Sequence, residues 1–386
     1  MFGVNDVAVL DIGSEKITLF YGNKSVNDTF NVKVSASIPY AGFTEGEWLE
    51  EDALSDVIKK AVEDVQIAAK TRIRKLFVGV PGEFTTTVAK DVEITLDRKR
   101  RVVDRDIDEL FDKGNTYKKH KRYATINCAA IYYSLDDNRR IIEPRGLMTE
   151  KVSALVSYVL CERKFAKKIT EILQTLNILE VEFVSSIWAE AMYLFEDDER
   201  DKAVLLLDVG YITSSITLAR GDGLLFLSSF SCGGAHIVGD LTLGLEIPYA
   251  HAEQLQTRLD LNRNVSVDDK YQVIVGGNQF TYSAVEVNEI AKARLTFLGQ
   301  TINLCLEKCD YDYPSHMPLY LTGGGLYGMR GAKEILSKIV GRRVEFVEPR
   351  DPKYAKPYYS TTLGLMDIAT KHTDTFEGFW KKIFRK

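Results

Sequence analysis

The sequence predicts an α/β protein built from two homologous lobes that face each other across a cleft. Two observations carry this expectation. Residues 7–22 (VAVLDIGSEKITLFYG) recur in pattern as residues 203–218 (AVLLLDVGYITSSITL), and late in the chain a Gly-rich turn, Thr322-Gly323-Gly324-Gly325, follows a short apolar strand. Each copy reads as an apolar strand, an Asp-x-Gly turn and a second strand of alternating apolar residues, the pattern of a hairpin. Two copies about half a chain apart imply paired lobes, whereas a solenoid would need more and shorter repeats. The length of 386 residues agrees, because one core rarely serves more than about 100–200 residues.

Taken in order, residues 31–38 read as a strand and 50–69 as an amphipathic helix, with Leu54, Val57, Ile58, Ala61, Val62 and Val65 at helical spacing. A short buried strand at 76–80 stops at Pro81-Gly82. Residues 82–158 change character and read as an inserted α+β unit: a charged stretch at 97–105, a short helix opened by Asp104, a strand at 124–135, the turn Pro144-Arg145-Gly146 and a strand at 154–160. A helix at 162–176 and a strand at 179–185 lead back, so that 1–81 and 159–200 form the first lobe core. The second lobe core takes 201–248 and 309–367. Within it, 249–308 read as a further insertion of a helix, a polar hairpin and a long helix. Residues 368–386 are left as a linker and a terminal amphipathic helix.

Composition narrows the function. With 45% hydrophobic and 27% charged residues the chain can bury a core without metals or disulfides, and its net charge of −5 argues against general nucleic-acid binding. The five cysteines are scattered and mostly set in apolar runs, as expected of reduced core thiols in a cytoplasm. Cys305 and Cys309 are four apart, but no second ligand pair lies near them in sequence, which disfavours zinc. Residues 1–10 lack the apolar core and cleavage site of a signal peptide, and no run of about 18 apolar residues occurs, so membrane contact is expected to be peripheral.

The Asp-x-Gly turns carry chemistry. In Asp11-Ile12-Gly13-Ser14, Gly13 lets backbone approach a phosphate, successive N–H groups can nest an anion, and Lys16 adds positive charge. The Asp11 carboxylate suits the water shell of a Mg²⁺ ion, which gives up its waters reluctantly. One such turn alone is an ordinary tight turn. The matching Asp208-Val209-Gly210 turn and the later Gly323-Gly324-Gly325, set between a strand and a helix, make a phosphate chain clamped from two sides the stronger reading.

At this point the chain resembles the actin, Hsp70 and sugar-kinase superfamily, with its actin-like (ribonuclease H-like) two-lobed fold. Within it, the chain is most similar to the FtsA family, because residues 75–87 (KLFVGVPGEFTTT), the charged 97–105 stretch and the return strand match that family's distinctive subdomain inserted in the first lobe. The resemblance implies ATP and Mg²⁺ as cofactors. Asp11, Gly13, Ser14 and Lys16 would contact phosphates and magnesium from the first lobe, and Asp208, Gly210 and Thr213 from the second. Asp11 and Asp208 would hold the metal through water. Gly323, Gly324 and Gly325 would pass beside the adenosine, and Glu253 would contact ribose or base. It further implies self-association into filaments and docking of the FtsZ C-terminal peptide on 249–308, where Arg294 stands at a position for a basic contact; a solvated helix-face arginine is the equal alternative.

Departures from the family pattern bear on activity. Tyr211 and Ile212 place two bulky side chains in the second phosphate loop, Glu15 adds negative charge to the first, and Gln256 stands where a lysine is common. A Glu15 carboxylate about 4 Å from a phosphate would cost about 4 kcal/mol at an effective dielectric near 20, so it is expected to point away. Glu190 is the candidate for positioning water. Nucleotide binding with slow turnover at most is the expectation.

The terminal residues 376–386 read FEGFWKKIFRK. Phe376, Phe379, Trp380, Ile383 and Phe384 fall on one helical face, while Lys381, Lys382, Arg385 and Lys386 occupy the other, the pattern of an anchor for anionic lipid at the cytoplasmic face of the membrane. A terminal helix that docks back on the protein is the alternative. Four cations contribute about 4 kcal/mol at an anionic surface, partial burial of five large apolar side chains about 5–8 kcal/mol, and ordering the segment costs about 10 kcal/mol, so one tail binds marginally and several tethered in a polymer bind firmly. Other readings of the whole chain are a scaffold like PilM, a paralogue that has lost nucleotide binding, and a sugar-type kinase, for which no substrate aspartate is evident.

Overall fold

The computed structural model describes residues 6–25, 29–137 and 139–375. Two five-stranded sheets share one strand order. In the first lobe it runs Glu180–Ser185, Lys75–Val80, Asp6–Ile12, Lys16–Lys24, Phe30–Pro39. In the second it runs Val344–Phe346, Leu319–Thr322, Val204–Val209, Ser214–Arg220, Gly223–Phe230. In both, the first three strands in chain order are antiparallel and the other two run parallel to the first. Asp6–Ile12 and Val204–Val209 are buried along almost their whole length, which is why they read as continuous apolar runs rather than alternating ones. The repeated hairpin of the sequence is therefore the start of two copies of one sheet.

The inserted unit of the first lobe is a four-stranded antiparallel sheet ordered Thr85–Arg101, Met148–Glu162, Tyr123–Ser134, Arg140–Ile141, with the helix Asp104–Gly114 on one face. It has its own core, centred on Val92, Ile94, Leu110, Val156 and Tyr158. Most of the charged stretch at 97–105 proves to be the end of a long strand. Arg100 there forks onto Asp106 through two hydrogen bonds of 2.7 Å, an arrangement that holds the Asp106 carboxyl below its usual range. The unit is fastened to the second lobe by Ser157, whose hydroxyl donates to the Leu224 carbonyl (2.7 Å) and accepts from the Leu224 amide (3.1 Å). In the second lobe, the helix Tyr249–Gln256, the hairpin of Lys270–Val275 and Asn278–Ser283, and the helix Ala284–Leu306 share one core with the sheet.

The C-terminal region departs from the sequence reading. Residues 360–367 were assigned to the second lobe and 368 onward to a linker, but one helix, Ser360–Thr375, spans both stretches and packs on the first lobe. Leu363, Leu365, Met366, Ile368 and Ala369 all join the first lobe core. The helix lies between the sheet and the helix Ser186–Leu194, apolar on more than one side, so it lacks the single stripe that marks an amphipathic helix. Gly364 is required at the crossing, since a Cβ there would sit 2.6 Å from the Ala189 carbonyl oxygen. Among the described residues no helix is long and apolar enough to cross a membrane. The tail residues Phe376, Phe379, Trp380, Lys381, Lys382, Ile383, Phe384, Arg385 and Lys386 lie outside the described residues.

If the C-terminal helix is part of the first lobe core, Leu365→Ala, at a fully buried position, should cost about 2–5 kcal/mol. A urea unfolding midpoint within error of the parent's would contradict this packing.

Candidate functional site

The two hairpin tips close in the same way. Gly13 N–H donates to the Lys16 carbonyl (3.1 Å) and Gly210 N–H to the Thr213 carbonyl (2.9 Å), so the Asp-x-Gly turns are structural equivalents facing each other across the interlobe cleft. The cleft, of about 330 Å³, is lined by Asp11, Gly13, Ser14, Lys16, Asp208, Gly210, Thr213, Glu253, Gly323 and Gly324 together. Ten sequence candidates thus meet in one place. Gly325 is close by but buried: its N–H donates to the Val209 carbonyl (2.7 Å) and its own carbonyl accepts from Gln256 Nε2 (3.1 Å). Gly323 adopts φ +88°, and a Cβ on it would lie 2.1 Å from Asp208 Oδ1, so this turn comes against the carboxylate in a way only glycine permits.

Two carboxylates, Asp11 and Asp208, line the cleft beside Lys16, and a third, Glu190, is buried behind them. Asp11 is pushed up to about 6, by burial first and against the opposing pulls of the Thr362 hydroxyl and Lys16. Asp208 is pushed up to about 7 by burial and by the Asp11 charge. Glu190, fully buried on the helix Ser186–Leu194, is driven well above the ordinary glutamate range by burial and by Asp208 and Asp11. Glu190 Oε2 and the buried Ser186 Oγ find no hydrogen-bond partner among the described residues. No group of three or more His, Cys, Asp or Glu side chains among these residues is arranged to hold a metal directly. A hydrated divalent cation suits this donor set, because its charge offsets the mutual repulsion and its waters can reach the orphaned oxygens.

The bulky residues of the second loop leave its tip clear. Ile212 turns toward Gly42 of the first lobe, and Tyr211 stands at the rim with its hydroxyl on that of Tyr249. The Ile212 amide donates to Ser14 Oγ across the cleft at 3.0 Å, so a residue of one hairpin tip occupies the donor of the other. Glu15 lines the mouth of the cleft half-exposed, with Oε2 3.7 Å from Lys16 Nζ, and does not turn fully away from it. Gln256 ties the Gly234 and Gly325 carbonyls together (3.1 Å each), a bracing role in place of a cation.

Sequence reasoning missed the contribution of the C-terminal helix. Thr362 Oγ1 donates to Asp11 Oδ2 at 2.6 Å, although the two are far apart in the chain, and only the helix period of 360–375 could have hinted that Thr361 and Thr362 are presented together. Tyr358 was missed as well; it lines the cleft, with Lys16 Nζ 5.3 Å and Lys356 Nζ 5.6 Å from its ring centre. Arg294 lies away from the cleft. It forks onto Asp240 (2.6 and 2.7 Å), so its guanidinium is engaged within the lobe rather than standing free.

A family model described as "Cell division protein FtsA" matches residues 205–364, a span that covers the second hairpin, the Gly-rich turn and the start of the C-terminal helix. The chain is similar to FtsA. The "Cell division protein FtsA" of Pseudomonas aeruginosa is 22% identical over 366 residues, covering 92% of this chain and 87% of that protein. FtsA of Escherichia coli is 20% identical over 376 residues, with 93% and 89% covered. Among solved structures, the PilM-PilN type IV pilus biogenesis complex superposes with TM-score 0.62 at 18% identity, covering 94% and 98% of the two chains. MreB5 of Spiroplasma citri bound to ADP follows the same fold with TM-score 0.56 at 11% identity, covering 97% and 99%. The fold is the actin-like two-lobed fold that FtsA resemblance implied.

Because both aspartates have folded-state pKa values above their unfolded ones, their contribution to stability is fully present below about pH 4 and is lost as pH rises toward about 7. Asp208→Asn is therefore expected to melt higher than the parent at pH 8, by a few kcal/mol in order of magnitude, and together with it at pH 4. A variant that melts lower at pH 8 would contradict an unrelieved charge at this position.

Proposed function

We propose that this chain is a nucleotide-binding scaffold of bacterial cell division that self-associates and tethers FtsZ to the cytoplasmic face of the membrane. The observation that carries the nucleotide half is the facing pair of equivalent hairpin tips with three mutually repelling carboxylates, Asp11 and Asp208 half-buried at the cleft and Glu190 buried behind them. Gly13, Ser14 and Lys16 from one side and Gly210 and Thr213 from the other would hold the phosphates, with Gly323 and Gly324 beside the adenosine and Glu253 at the sugar or base. Mg²⁺ would sit through water on Asp11 and Asp208. Slow turnover is supported by Glu190, whose burial beside Asp208 and Asp11 raises its carboxyl well above the ordinary glutamate range and so disfavours the charged form that would activate water.

The tether half is supported by composition and surface. The basic, aromatic tail 376–386 suits anionic lipid. On the helix Ala284–Leu306, Phe297 and Leu304 are 51% and 58% exposed and seven residues apart, an apolar stripe for a partner peptide beside the Arg294–Asp240 pair.

Calorimetric titration with ATP and Mg²⁺ should give one site per chain, weakened at least about tenfold in Asp11→Ala; an absence of heat at millimolar ATP removes the nucleotide half of the proposal. A protein ending at residue 375 should fail to pellet with vesicles that contain phosphatidylglycerol. Pelleting equal to that of the full chain would sink the anchor assignment.

A further inference from the structure

A second cavity lies away from the cleft. A pocket of about 1000 Å³ opens on the other side of the hinge, lined from the first lobe by the helix Ser186–Leu194 and the C-terminal helix and from the second by Asp222 and residues 350–352. The helix Ser186–Leu194 serves both sites: Ser186 and Glu190, four apart, face the carboxylate floor of the cleft, while Trp188 and Met192 face the pocket. Trp188 Nε1 donates to the Asp222 carbonyl (2.9 Å), closing the floor between the lobes.

We propose that this pocket is the docking site of the chain's own terminal segment, residues 376–386. Three observations converge. The walls are aromatic and aliphatic, with Phe30, Trp188, Met192, Phe195 and Ile368, which suits a segment carrying Phe376, Phe379, Trp380, Ile383 and Phe384. Five carboxylates, Glu196, Asp197, Asp222, Asp351 and Asp367, line it with three cations; Arg200 pairs with Asp197 and Asp222, Arg350 with Glu196 and Lys371 with Asp367, so the paired rim still carries an acidic excess toward a segment with four basic residues in its last six. The C-terminal helix ends close to the spot: Lys371 lines the pocket, and the helix closes at Thr375, four residues or about 6 Å further along, one residue before the segment begins. From there eleven residues reach about 16 Å as a helix, or about twice that extended.

Attachment through so short a connection gives the segment an effective concentration of about millimolar, which favours it over a free peptide or the tail of another copy. Resting on the reading of the tail as a lipid anchor, the pocket then competes with the membrane, and a tail withdrawn to lipid leaves the hinge side of the helix Ser186–Leu194 bare. One element would thus sense both nucleotide and membrane.

Hydrogen exchange of the full chain, read by mass spectrometry, tests this without altering the folded body. In the absence of lipid, amides at 192–200, 350–354 and 376–386 should exchange at least about tenfold more slowly than in Lys381→Glu/Lys382→Glu, while 208–213 is unchanged between the two. Exchange of 376–386 at free-peptide rates in the parent overturns the proposal, as does protection that disappears on dilution, which would assign the tail to a neighbouring copy. Vesicles of phosphatidylcholine and phosphatidylglycerol should keep the tail protected while exposing 192–200. If they leave the tail in the pocket, docking stands and the anchor reading fails.

Discussion

Three carboxylates that cannot comfortably be charged together set the terms for the rest of this molecule. Asp11 is held at the end of the first strand of one lobe and Asp208 at the end of its counterpart in the other, and Glu190 comes up from the helix behind them. Elsewhere a core would exclude such a cluster, because an unpaired buried charge costs several kcal/mol. Here the two sheets are required to bring it together, since the same strand order in each lobe points both first strands at one seam. The glycines around the seam keep side chains out of it: Gly79 has Ser186 Oγ and a Leu365 methyl within 2.7 Å of where its Cβ would be, and Gly323 lies against Asp208 itself. A cation entering such a site would offset the repulsion.

The hydrogen bond from Ile212 to Ser14 belongs to the same balance. Phosphate would offer that amide a charged acceptor, and charge-assisted hydrogen bonds are about twice as strong as neutral ones. Under the proposed function the clasp between the loops would be a placeholder that nucleotide displaces, with Ile212 turned toward Gly42 and Tyr211 at the rim against Tyr249.

Much of this was legible in the chain. The two hairpins, the Gly-rich turn and the inserted unit announce themselves through local rules: apolar runs of strand length, Asp-x-Gly turns and glycines between strand and helix. The helix Ser360–Thr375 was not legible, because it is buried on more than one side and carries no stripe, and its Thr362 reaches Asp11 only through the closing of the whole first lobe. The pairing of Arg294 with Asp240 was hidden for a similar reason, as two helices must pack before the pair exists. Glu190 was visible as a candidate, but its role depends on charges contributed by strands on both sides of the hinge.

A crystal structure of the chain with Mg²⁺ and a non-hydrolysable ATP analogue tests the central claim most directly. The account predicts phosphates between 13–16 and 210–213, the Ile212 amide released from Ser14 onto a phosphate oxygen, and a hydrated ion between Asp11 and Asp208. Phosphates bound by one hairpin alone, with the Ile212–Ser14 bond intact and no ion above the carboxylates, would contradict it.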